Sequence, residues 1–389
     1  MLPDARWISV AGAAAAVLAA YVQYRSSTRK RRVVITGGCG NLGTKLATRL
    51  LATGKYEVLL LEHPDFMPRD ASRVPRGAIV VAGDLTDGTA SWDEALRGAD
   101  SLVHFSAVNP FPNALSTLAL ILTLILTLIL TLILTLTLAL TLTLTVIPSL
   151  ALTRYPNASW EDSAGSMAHS FNVFLAASRH RVRRVVLASS NHVMGGYKDL
   201  PGTEGDVTPA SPPRCGTLLQ DPAATAASGD AVAYAAAKLA GEQMCRALAA
   251  RGGATSFAIL RIGWCQPGAN LPATLNPAGC PPEFQTEAST PSGGGGGGGS
   301  GGSGGSGGGS GGGGSGGAAP AESVDEAWFK NMWLSNADFL NYFEAALDAP
   351  TPPLAPLLVN AMSRNRGMRW SLKETEAALG LSPVDDSRR

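Results

Sequence analysis

The stretch "RVVITGGCGNLGTKLATRLL" occupies residues 32–51. Its opening, Arg32 to Thr36, is a short β-branched apolar run of the kind that makes a buried strand. A glycine-rich turn follows, and Leu42, Leu46 and Leu50 then recur at every fourth position, which predicts one apolar face of a helix. Strand, glycine turn and helix in that order form a place for phosphate. Glycines at 37, 40 and 43 let the chain turn tightly, bring backbone N–H groups close to a ligand, and let the helix pack on the strand. The positive end of the helix then faces the anion. The loop residues Gly37, Gly40, Asn41, Leu42 and Gly43 are therefore expected to hold the pyrophosphate of a dinucleotide.

Working outward, further strands are expected at residues 57–62, 78–85, 101–107, 183–192 and 256–263, with helices at about 163–180 and 231–250 between them. Apolar strands alternating with helices imply a parallel sheet covered on both faces, so the fold class is α/β, Rossmann-like and doubly wound. Ligands of such sheets bind beyond the C-terminal strand ends. Glu62 ends the second strand nineteen residues after Gly43. A carboxylate there accepts hydrogen bonds from the adenosine ribose and repels a 2′-phosphate, which favours NAD over NADP. Arg69 nearby has the opposite charge. Asp84 and Leu85, in "GDLTD" after the third strand, sit where the adenine is expected, although Asp84 reads equally well as a turn residue.

A second constellation lies in "AYAAAKLAGE", residues 233–242. Tyr234 and Lys238 are four apart on an Ala-rich helix, so both side chains share one face. An ammonium beside a phenol favours the tyrosinate, which can then take a proton from a substrate hydroxyl. The preceding strand ends in Ser189, Ser190, Asn191 and His192, where a serine hydroxyl can hold the same substrate oxygen. The succession of glycine loop, serine and YxxxK on successive βα units is far more specific than any one of the three.

With those residues in place, the sequence resembles the extended short-chain dehydrogenase/reductases, also called NAD-dependent epimerase/dehydratases. The likeness covers about residues 32–265, and more weakly 325–380. "ASSNHVMGGY", "YAAAK" and "LRIGWCQPG" look most like the uronate dehydrogenase branch, which oxidises a hexuronic acid with NAD. The resemblance implies a catalytic triad of Ser190, Tyr234 and Lys238, with Lys238 also on the cofactor, and sugar contacts from Asn191 and His192. It places Ser106 near the nicotinamide ribose and the substrate. It also implies an arginine after the sixth strand to grip a carboxylate, and "QPGANLPATLNPAG", residues 266–279, has none. The implied activity is oxidation of a hydroxyl of a sugar or uronic acid. Two other readings stay open: a nucleotide-sugar epimerase or dehydratase that keeps its NAD bound, and a non-catalytic dinucleotide sensor or scaffold.

The 389-residue chain has 31 Lys and Arg against 30 Asp and Glu, which argues against nucleic acid as a partner. Five cysteines without a CxxC pair fit neither a disulfide framework nor a zinc site. Residues 7–22, "WISVAGAAAAVLAAYV", are apolar and precede a basic cluster at Arg25 to Arg32, so residues 1–31 read as a membrane anchor with a cytosolic catalytic body, a cleaved targeting peptide or a soluble extension. Leucine occupies every even position from 118 to 144, and the motif "FPNA" at 111–114 returns as "YPNA" at 155–158. The expectation is a low-complexity insertion over 111–154 within a domain of 32–291. Residues 292–317 are Gly and Ser alone and form a linker, and 318–389 are expected to supply a substrate-binding part. In that part Ser335 and Asp338 are spaced for a capping box, Trp328 and Trp333 are candidates for pocket or core, and Arg366 and Arg369 are candidates for the missing carboxylate grip. Oligomerisation is compatible with all of this.

Overall fold

A computed structural model describes residues 29–68, 70–107, 160–218, 220, 231–275 and 322–389. The apolar stretch 7–22, Arg69, the Leu/Thr run 111–154 and the linker 292–317 lie outside the described residues. Among the described residues no helix is long and apolar enough to cross a membrane.

The chain runs β1 (Arg31–Thr36), α1 (Asn41–Ala52), β2 (Tyr56–Glu62), β3 (Ile79–Ala82), β4 (Ser101–His104), α2 (Trp160–Arg179), β5 (Arg184–Ser190), α3 (Val232–Ala250) and β6 (Ser256–Ile262). It continues through α4 (Val324–Asn331), α5 (Asn336–Ala346), β7 (Leu357–Ala361) and α6 (Lys373–Leu379). The strands form one sheet in the order β3-β2-β1-β4-β5-β6-β7, and each neighbouring pair is parallel. The order reverses between β1 and β4, so the switch point falls beside the glycine loop, where ligands of such sheets bind. β4 and β5 are direct neighbours, so the residues flanking the Leu/Thr run belong to one sheet. β7 adds an edge that six expected strands had not included.

Alternation along the strands sorts the core into two layers. Val33, Ile35, Val58, Leu60, Val186 and Leu260 pack against α1 and α5, with Leu46, Leu50, Phe339 and Phe343 buried between them. Val34, Leu59, Leu61, Val185, Leu187 and Ile259 face α2 and α3 through Phe174, Ala177 and Cys245. Each fully buried Leu or Phe contributes about 1.5–3 kcal/mol relative to exposure. A third cluster, including Met194, Val207, Trp328, Phe329, Met362 and Trp370, sits beyond the C-terminal strand ends.

Of the two alternatives for the downstream tryptophans, burial favours core. Trp328 and Trp333 are buried, and Trp333 donates its indole N–H to Asn270, so both belong to the core. The capping box of α5 forms in one direction: Asp338 N donates to Ser335 Oγ at 3.0 Å. Its return arm runs through Ser363, whose hydroxyl accepts from Ser335 N and donates to Asp338.

Candidate active site

Gly37 leaves β1 with φ +63°, a left-handed conformation that a side chain rarely adopts. A Cβ there would also meet Ser106 N at 3.1 Å. A Cβ on Gly43 would stand 2.5 Å from Gly38 O, so α1 can lie this close to the loop only with glycine at 43. Gly40 differs, since a Cβ there would meet Gly37 O alone, at 3.3 Å. α1 begins at Asn41 with no side-chain cap and no acidic residue in its first turn. Its leading N–H groups are thus presented to an incoming anion.

Glu62 is buried at the end of β2, where Cys39 N donates to Oε2 and His63 N to Oε1, each at 3.0 Å. Burial raises its pKa, against the pull of those two bonds. Each oxygen keeps a second lone pair for a ribose hydroxyl. The strap to Cys39 ties this carboxylate to the glycine loop. Asn41 ties the same loop to the segment after β6 by donating Nδ2 to Cys265 O at 3.1 Å. Leu42 packs on the core, and Leu85 is buried. Asp84 accepts from Thr86 N at 2.8 Å and Thr86 Oγ1 at 2.7 Å, which is its turn role. Uncapped helix end, glycine cradle and strapped carboxylate together fit NAD.

The other half of the site lies at the end of β5. Ser190 hydrogen-bonds to Tyr234, and its Oγ also accepts from His192 N at 3.2 Å. Burial pushes Tyr234 up to about 12, with the Ser190 bond opposing. Burial lowers Lys238 to about 8, and its Nζ donates to Ala188 O at 2.8 Å. The ammonium lies 5.7 Å from the Tyr234 ring centre. His192 stacks edge-on to Tyr234 at 6.0 Å, shares a 2.8 Å bond between Nδ1 and Thr217 Oγ1, and is lowered by burial to about 4. Asn191 donates Nδ2 to Ile262 O at 3.2 Å, while its buried Oδ1 has no partner among the described residues. That oxygen is a ready acceptor for a ligand hydroxyl. Ser106 stands beside the Gly37 turn, its Oγ 3.1 Å from His169 Nδ1.

The structure therefore gathers Ser190, Asn191, His192, Tyr234 and Lys238 at one strand end, and Gly37 to Gly43, Glu62 and Ser106 at the neighbouring ones. It does not bring the two C-terminal arginines to the site as free cations. Arg369 forks onto Asp206 at 2.9 and 2.8 Å and donates to Tyr197 O and Leu200 O. Arg366 pairs with Asp386. A sequence reading missed His169, Thr217, and a buried pair of Glu242 with Arg261. Glu242 does carry a signal, since it continues the four-residue spacing of Tyr234 and Lys238.

Over residues 33–133 and 143–264 the chain matches the "NAD dependent epimerase/dehydratase family". A uronate dehydrogenase of Pseudomonas putida is 25% identical over 174 residues, 44% of this chain and 46% of that protein. The chain thus aligns with about half the length of that relative. The solved structure of a mutated uronate dehydrogenase superimposes with a TM-score of 0.52 at 19% identity, covering 92% of this chain and 84% of that one, a likeness of fold.

Proposed function

The chain belongs to the NAD dependent epimerase/dehydratase family, and we propose that it acts there as a dehydrogenase, oxidising a hydroxyl of a sugar or uronic acid. The observation that carries this reading is the Tyr234 hydroxyl bonded to Ser190 at the mouth of the sheet, with Lys238 one helical turn away. NAD, when bound, accepts the hydride.

This chain's own residues do the rest. Ser190 holds the substrate oxygen against Tyr234, and Tyr234 takes the hydroxyl proton. A phenol near 12 is a poor base at neutral pH, so its ionised form depends on the positive charge of Lys238, 5.7 Å from the ring centre. His192, held uncharged by burial, and the free carbonyl of Asn191 offer neutral hydrogen bonds to the remaining hydroxyls. Glu62 accepts from the ribose and disfavours a 2′-phosphate.

The experiment is to supply the full chain with NAD and a panel of galacturonate, glucuronate and neutral hexoses and follow NADH. Net NADH, stoichiometric with oxidised sugar, supports the dehydrogenase. Tightly copurifying NAD with interconversion of a nucleotide sugar and no net NADH would replace it by an epimerase or dehydratase. NAD binding with neither outcome would favour a sensor.

A further inference from the structure

Behind the residues that would touch substrate lies a pair that no step above uses. Glu242 is fully buried on α3, and Arg261, 1% exposed, is buried on β6. Arg261 grips the carboxylate with both prongs, Nε to Oε1 at 2.9 Å and Nη2 to Oε2 at 2.7 Å. Ser189, which pairs in register with Arg261 across β5 and β6, donates its hydroxyl to Glu242 Oε1 at 2.6 Å. The third arginine nitrogen lies 3.2 Å from Met194 Sδ and 3.4 Å from Pro209 O. Every polar atom of the carboxylate is engaged, and one oxygen is taken twice.

Stability does not explain such a pair, because taking both charges out of water offsets most of their attraction and two apolar side chains would pack as well. Geometry does. Tyr234, Lys238 and Glu242 are spaced four apart along α3, so one helix face carries the phenol, the ammonium and the clamp. Ser189 immediately precedes Ser190. A bidentate fork fixes direction as well as distance, so it sets how α3 sits on the ends of β5 and β6.

We infer that Glu242 and Arg261, acting through Ser189, form a positioning pair that holds Tyr234 against Ser190 while cancelling each other's charge at the phenol. The inference rests on the reading of Tyr234 as the base. Other groups that face Tyr234 are Lys238 on α3, and Ser190 and His192 from β5 and the turn after it. His104 on β4 is coupled to Lys238, and Cys215, in the loop below, to both members of the pair. Eight helical residues separate Tyr234 from Glu242, about 12 Å along the axis. At that range an uncancelled charge moves a buried titration by on the order of one pH unit.

The test is the pH profile of NADH formation by the full chain and its variants. Glu242→Gln leaves Arg261 positive, so the rising limb should move about one unit to lower pH; Arg261→Met leaves a negative charge and should move it about one unit higher. Arg261→Lys should return the limb toward its original position. Should either single variant fail to fold, the double variant Glu242→Leu with Arg261→Met removes both charges. It should keep the original limb while kcat falls at least tenfold and KM for NAD holds. Limbs that stay put or move the same way in both single variants, or an undiminished kcat in the double variant, would overturn the proposal. If the unaltered chain makes no NADH, the dehydrogenase reading has failed on its own. The opposite shifts are then sought in the tyrosinate ultraviolet titration of the NAD-bound protein, read against Tyr234→Phe, and their absence there would overturn the positioning role as well.

Discussion

Lys238 Nζ lies 5.7 Å from the centre of the Tyr234 ring yet gives its hydrogen bond to the Ala188 carbonyl, at 2.8 Å. The ammonium is therefore tethered to the sheet end within reach of the phenol. Placing it there is unfavourable for the fold, since burial lowers its pKa to about 8 from the usual 10.5. The penalty is fully present below pH 8 and fades as pH rises toward 10.5, where the unfolded chain still binds the proton that the folded one has released.

Lys238→Met should accordingly cut turnover by about 10²–10⁴-fold and raise the melting temperature at pH 7. The difference in melting temperature should close as pH approaches 10. Thermal unfolding scans at pH 7 and 10 check this, and a Met variant that melts below the original chain at pH 7 would contradict it.

The glycines of the loop should separate by position. Gly43→Ala forces a Cβ to 2.5 Å from Gly38 O and should destabilise the fold by about 1–3 kcal/mol. Gly40→Ala, whose added carbon meets a single atom at 3.3 Å, should leave the melting temperature close to unchanged while weakening NAD binding at the phosphate cradle. Melting curves beside NAD titrations distinguish the two.

Glu62→Ser removes the carboxylate proposed to accept from the ribose, together with its strap to Cys39 N. The expected result is a shift of at least tenfold in the ratio of NADH to NADPH affinity, toward NADPH, corresponding to about 1.4 kcal/mol. Fluorescence titration with both reduced cofactors measures it; an unchanged ratio would mean that another residue reads the ribose.

Below neutrality the buried histidines should govern stability. His192 is lowered to about 4, and burial holds His104 well below the usual range. The unfolded chain binds protons at both positions from about pH 6.5 downward while the folded chain does not, so stability falls with pH through that window, by about 1.4 kcal/mol per unit for each group. His192→Gln should flatten the fall in denaturant midpoint between pH 6.5 and 4.5, and an equally steep fall would assign it elsewhere.

Much of this was legible in sequence because it is local. The β1–α1 stretch carries its own strand period, turn glycines and helix period, and Tyr234 with Lys238 needs only a helix to share a face. Strand ends were read three residues long at β3 and β4, which end at Ala82 and His104 with one backbone bond beyond each, from Gly83 N to Glu62 O and from Phe105 N to Thr36 O. β7 was missed because Leu357–Ala361 is short and follows Pro352, Pro353 and Pro356, which read as loop. Arg369 and Arg261 look alike in a sequence, as isolated cations. Only the tertiary fold assigns one to Asp206 and the other to Glu242.

The most direct test of Tyr234 as the base compares NADH formation by the full chain and by Tyr234→Phe, with uronates and neutral sugars, alongside NADH binding to each. The expected result is that the loss of one hydroxyl lowers turnover at least a hundredfold while NADH affinity stays within about twofold, because the glycine loop and Glu62 are untouched. Turnover that survives the substitution would contradict the assignment of Tyr234 as the base.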